Sequence, residues 1–201
     1  MEVAFQFDPK ATVEALLVIA GRVQTDKYVA CKVLFLADRL HLVRYGRTIT
    51  GATYRALKYG PVPSEPLDML NHLVEGQWLR PEWADVIEGR FEVLEGPNPI
   101  LRPARGPDFT ALSDSDVQAI EEVIENREGK LDFQSLYEET HAMPEYRQAR
   151  QREPLSNNPR MRFEDFFEGN ADVVPGILAE VTENAALGAQ CRADAVADDI
   201  V

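Results

Sequence analysis

Apolar residues recur at helical spacing along the first part of the chain. Asp8 followed by Pro9 marks a helix start, and Val13, Leu16, Leu17 and Ala20 then fall at i, i+3, i+4 and i+7 ahead of Gly21. This spacing predicts an amphipathic first helix. From about Asp26 to Tyr45 the run is apolar on almost every side through Val33 to Ala37, with Lys27, Lys32, Asp38, Arg39 and Arg44 flanking that middle and Gly46 placed to end it. A helix with so little polar face is expected at the buried centre of a domain.

The period breaks at Thr50-Gly51 and again at Tyr59-Gly60-Pro61-Val62-Pro63-Ser64, which predicts a turn, a short extended piece and another turn. Ser64 is placed to cap a third helix with Leu67, Leu70, Leu73 and Val74 as its stripe and Gly76 as its end. Trp78 to Trp83, Arg90 to Leu94 and Ile100 to Arg102 read as strands of a small antiparallel ribbon, confined to edges by Pro81, Pro99 and Pro103. Ser113 and Asp116 form an acidic capping box with Leu112 and Val117 as its staple; Val117, Ile120 and Ile124 give the inner stripe of the helix that follows. Asp132 caps a short helix through Phe133, Leu136 and Tyr137, and a further helical piece runs from Pro144 to Arg152. Residues 153–162 read as a linker, followed by the acidic aromatic patch of Phe163, Phe166 and Phe167 and a helix from about Val174 to Ala189. The expectation is an α+β, mainly α-helical protein. A compact domain over residues 1–152, with a buried central helix and a small antiparallel β-ribbon, carries a linker and an acidic, partly helical extension over residues 153–201.

Composition narrows the function. The 201 residues are 45% apolar, enough for one substantial core. With 21 basic against 34 acidic groups the net charge is −13, which opposes attraction to phosphate backbones and anionic membranes. No stretch approaches the roughly 18 apolar residues of a spanning helix, and Glu2, Gln6 and Asp8 at the start argue against a leader, so a soluble, cytoplasmic protein is expected. Cys31 and Cys191 form no C-x-x-C pair, in keeping with a reducing compartment. The charge is uneven: residues 1–60 hold nine basic and five acidic groups, whereas residues 108–145 hold two and eleven. Arg147, Arg150, Arg152 and Arg160 then make a basic joint ahead of an acidic tail. Such segregation describes either solvated helix faces or a surface that steers a basic partner.

Chemical motifs are scarce. Phosphate-binding glycine loops, nucleophile elbows and helix-borne zinc pairs are all missing from the sequence. His41, His72 and His141 with Asp38 are the one conceivable catalytic or metal group. The competing reading gives His41 a carbonyl partner at a helix end, His72 a helix surface and His141 the backbone of the Thr140 to Pro144 turn. That reading is preferred, so no catalytic, cofactor or metal site is expected. Cys31, inside the most apolar helix, reads as a core residue. A helix from Ser64 to Val74 ahead of a ribbon has the outline of a winged helix, but it offers Glu65, Asp68, Asn71, His72 and Glu75 with no lysine or arginine, so direct nucleic-acid binding is not expected.

Three ordered pieces carry a family resemblance. They are Leu34-Phe35-Leu36-Ala37-Asp38-Arg39-Leu40-His41-Leu42, then Tyr45-Gly46-Arg47-Thr48-Ile49-Thr50-Gly51, then Lys58-Tyr59-Gly60-Pro61-Val62-Pro63-Ser64, with Leu136, Thr140-His141 and Met143-Pro144 further on. Over about residues 12–150 the chain resembles the Panacea domain, the SocA-like antitoxin domain of phage-associated proteins. Asp38, Arg39, His41, Tyr45, Gly46, Tyr59, Gly60, Pro61, Pro63, Thr140 and His141 are the residues that match. The resemblance implies an antitoxin that neutralises a cognate toxin by direct contact, or an adaptor that delivers it to a ClpXP-type protease through a C-terminus such as Ala193 to Val201. A phage-derived interaction protein without a toxin is a further alternative. On the binding reading, the acidic surface of residues 108–145 and the tail meet a basic toxin face, with Tyr54, Tyr59, Trp78 and Phe166 as candidate anchors.

Overall fold

A computed structural model describes residues 3–183. The expected end of the last helix at Ala189, Cys191 and the segment Ala193 to Val201 lie outside the described residues. The carboxylate of Asp8 accepts the N–H groups of Lys10 and Ala11 and so opens α1 (Pro9–Arg22). Asp26 does the same for α2 (Lys27–Tyr45) through Val29 N–H, and Gly46, at φ 75°, ends it in the left-handed conformation. A hairpin follows, β1 (Tyr54–Leu57) against β2 (Gly60–Pro63), then α3 (Ser64–Glu75), α4 (Pro81–Ile87) and a second hairpin of β3 (Phe91–Leu94) and β4 (Ile100–Pro103). The chain continues through α5 (Asp114–Glu125), α6 (Phe133–Ala142), α7 (Pro144–Arg152) and a 3-10 helix (Phe163–Phe167). Residues 177–183 are again helical.

The mainly helical α+β expectation holds, and α2 is its centre. It packs against α1, α3, α5, α6, β2 and the 3-10 helix, with Val33, Phe35, Ala37, Leu42 and Val43 fully buried. The capping box of α5 is present in both directions between Ser113 and Asp116. Its buried apolar face is Ala119, Ile120 and Val123, one position round from the expected stripe, with Val117 and Ile124 half-buried. No helix among the described residues is long and apolar enough to cross a membrane.

Four local expectations are corrected. The piece between Thr50 and Ser64 is a paired hairpin, with Tyr54 opposite Pro63 and Leu57 opposite Gly60. Ser64 is the first residue of α3 and not its cap; Pro63 holds the cap position and offers no side-chain bond. Trp78 to Trp83 forms no strand, because Pro81 opens α4, where its missing N–H costs nothing. Residues 153–162, expected as a linker, return to the edge of β1: Ala56 N–H donates to Pro159 O (2.9 Å) and Met161 N–H to Tyr54 O (3.0 Å). Phe163, Phe166 and Phe167 follow into the core, Phe166 meeting Phe35 and Tyr54. Further on, Val174 N–H donates to Val43 O, and Ile177 and Val181 are buried beside Gly46. The described part of the extension therefore closes the same core that α2 organises.

Candidate partner-binding surface

Among the motif residues of α2, Asp38 and His41 hold the loop behind it and Arg39 ties the helix to α7. Asp38 is fully buried; its Oδ1 accepts the N–H groups of Ile49 (2.6 Å) and Thr50 (3.0 Å), and its Oδ2 accepts the hydroxyls of Tyr54 (2.7 Å) and Thr50. Burial pushes its carboxyl up and these donors pull it back. Arg39 reaches Glu145, on α7, at 2.5 Å; burial raises the Glu145 carboxyl while Arg39 lowers it. His41 bonds Arg47 O through Nδ1 (2.9 Å), and burial lowers its pKa. Its Nε2 lies 3.0 Å from the Ser115 hydroxyl and 3.1 Å from the Asp116 carboxylate. Tyr45 lies tilted against the His41 ring, half exposed, and Gly46 turns the chain.

The three histidines stand apart, each bonded to a carbonyl. His72 meets Gln77 O (2.8 Å) and His141 meets Tyr137 O (2.7 Å) through Nδ1. Among the described residues no group of three or more His, Cys, Asp or Glu is arranged to hold a metal ion. Cys31 is buried, and burial pushes its thiol up to about 12.

The remaining motif residues meet at the tip of the β1–β2 hairpin, where it crosses α6. Gly60 has φ 99°, and a side chain there would run into the Lys32 ammonium and the Thr140 hydroxyl. Lys32 is 1% exposed, donates to Pro61 O (2.7 Å), sits 5.0 Å from the Tyr28 ring centre and has no ion pair among the described residues. Desolvation pulls it down to about 7. His141 Nε2 meets Lys58 O (3.2 Å), and the Tyr146 hydroxyl donates to Leu57 O (2.9 Å). These contacts pin the hairpin tip onto α6 and α7. Pro63 is buried at the base of the same hairpin.

Over this pinned tip lies a continuous run of rings. Tyr59 meets Phe133 (5.9 Å between centres), Phe133 stacks with Tyr137 (5.8 Å), Tyr137 stacks on His141 (3.7 Å) and His141 meets Tyr146 (4.6 Å). Tyr28 also packs against Phe133, at 4.7 Å between centres. Tyr59 and Phe133 are 52% and 49% exposed, so the run is open to solvent at that end. Of the four expected anchors only Tyr59 belongs to it. Trp78 is exposed elsewhere, on the loop after α3, while Tyr54 and Phe166 are 1% and 0% exposed and cannot face a partner in this fold. Lys32, Tyr28, Phe133 and Tyr137 did not emerge as candidates from the sequence, although Phe133, Tyr137 and His141 fall at i, i+4 and i+8, the signature of one helix face.

The charge segregation along the sequence is largely undone in space. The acidic α5 lies against the basic front, with Glu121 paired to Arg22, Glu122 to Arg44 (2.6 Å) and Asp116 to Arg47 (2.9 Å). Both groups of motif residues lie within the segment, residues 31–146, that matches the family described as Antitoxin SocA-like, Panacea domain. That segment is more than half of the chain. The chain belongs to the SocA-like antitoxin family. Neither a curated protein nor a solved structure matches it. The Panacea segment runs from α2 to Tyr146 on α7, so most of the ring surface falls within it, whereas the stretch closing the edge of β1 falls beyond it.

Proposed function

We propose that this protein is an antitoxin that neutralises a cognate toxin by direct protein–protein contact, without catalysis, and that the ring surface of Tyr59, Phe133 and Tyr137 is where the toxin docks. The supporting observation is the stacked run itself. Apolar side chains gathered on a surface mark interaction sites, and rings already held by their neighbours lose little freedom when a partner covers them. Dispersal of the three histidines to separate carbonyl partners favours a binding protein over the histidine-based enzyme.

The test uses the full chain and the toxin encoded beside its gene. Tyr59→Ala with Phe133→Ala is expected to weaken binding by at least about 2 kcal/mol, as loss of aromatic anchors does, and to abolish rescue of growth while the thermal midpoint holds. Unchanged affinity and rescue would remove the surface from the proposal. Following toxin half-life in cells with and without a ClpXP-type protease separates sequestration, which leaves the half-life unchanged, from delivery, which shortens it.

A further inference from the structure

Beside the ring surface, the turn between α1 and α2 and the end of α5 enclose a groove of about 600 Å³. Its apolar part is Val23, Ile124 and Leu131, all half-buried against the core. Its rim is Glu125, Glu128 and Asp132. Glu125 and Glu128 are exposed and make no ion pair among the described residues, and the hydroxyl and N–H of Ser135 donate to the Asp132 carboxylate and lower its pKa. The one cation in the wall, Arg22, is already paired with Glu121. Lys130 lies in the same connection without lining the groove.

The groove adjoins the rings along the chain, since Asp132, in its rim, directly precedes Phe133, whose carbonyl accepts the Tyr28 hydroxyl (3.4 Å). Burial is the main cause that pushes the Tyr28 phenol up to about 12, with Asp26 and Asp132 adding smaller contributions. An apolar floor with an unneutralised acidic rim complements an apolar side chain carried between basic ones. A guanidinium leaving that rim would next meet the aromatic faces, which attract cations.

We infer that this groove is the second half of the toxin contact and takes a short basic segment of the toxin, an apolar side chain flanked by arginine or lysine. The inference rests on the antitoxin reading and adds the chemistry of the partner. It is tested with the ¹⁵N-labelled full chain and two synthetic peptides, acetyl-Gly-Arg-Leu-Arg-Gly-amide and its Gly-Glu-Leu-Glu-Gly counterpart, followed by amide shifts. The basic peptide is expected to shift Val23, Ile124 and Leu131 saturably and the acidic one not to. Glu125→Gln with Glu128→Gln removes the response. In titrations with the toxin encoded beside the gene, the same pair of substitutions is expected to weaken binding about tenfold at low salt and to flatten its salt dependence. No saturable shift up to about 5 mM peptide, or equal shifts from both peptides, overturns the inference. So does toxin affinity that is unchanged by the glutamate substitutions but reduced by Phe133→Ala, a result that leaves the antitoxin reading standing. A wild-type chain that does not bind the toxin removes that reading, and the toxin segment with it.

Discussion

The Nζ of Lys32 lies so close to Gly60 that a Cβ built on the glycine would stand 2.7 Å from it and 2.8 Å from the Thr140 hydroxyl. With φ at 99° the backbone also disfavours any side chain there. Gly60→Ala is expected to cost about 2 kcal/mol or more, by left-handed strain and overpacking together. Urea unfolding checks it, as a lower midpoint at unchanged slope.

Lys32 itself makes stability depend on pH. Its folded pKa of about 7 lies below the ordinary lysine value of 10.5, so between those values the unfolded chain binds more protons and stability rises with pH, by up to about 1.4 kcal/mol per unit. Below pH 7 the penalty is constant, and above 10.5 it is gone. Lys32→Met is expected to flatten that rise and to stabilise the protein at pH 7, as read from melting curves between pH 6.5 and 10.

Asp38 accepts four donors from Ile49, Thr50 and Tyr54. Asp38→Asn replaces one accepting oxygen by an N–H₂ that faces donors, at an expected cost of about 2–4 kcal/mol. Tyr54→Phe removes a single bond and is expected to cost about 1.5 kcal/mol. Chemical denaturation of both variants gives the order, and Tyr54→Phe as the worse of the two contradicts this account.

Removing Arg39 leaves Glu145, fully buried, without its cation. Arg39→Ala is expected to cost about 3–5 kcal/mol, and Arg39→Met with Glu145→Leu to recover most of it. The double-mutant comparison by calorimetry decides.

A chain ending at Arg152 lacks Phe163, Phe166 and the segment paired to β1. It is expected to be unfolded or to expose enough apolar surface to bind a hydrophobic dye, because Phe35 and Tyr54 lose the ring that covers them. A cooperative melt like that of the full chain would place the tail outside the folding unit.

Elements with local signals were legible before the structure. Asp8-Pro9, Asp26, Gly46 and the Ser113–Asp116 box each act within a turn of themselves, so α1, α2 and α5 could be placed from sequence. What escaped depends on distant partners. Strands of four residues, two of them proline in β2, hardly differ from a turn until Pro159 and Met161 supply bonds from about a hundred residues away. Those bonds are made by the backbone, which leaves no trace in the Pro-, Asn- and Arg-containing composition of 153–162. From sequence Lys32 reads as a flanking charge, because nothing in its neighbours discloses that the Gly60 turn closes over it. The ring surface needed α6 laid across the hairpin, although the i, i+4, i+8 spacing of Phe133, Tyr137 and His141 was already present.

The return of residues 159–161 to the edge of β1 sets an order of events during synthesis. By the time the matched segment has left the ribosome, β1 and β2 can pair, but the outer edge of β1 still offers unpaired N–H and C=O groups, and Phe35 lacks Phe166. An open strand edge beside uncovered apolar surface invites aggregation and proteolysis. A nascent chain is therefore vulnerable until residues 159–166 arrive to close that edge and cover Phe35.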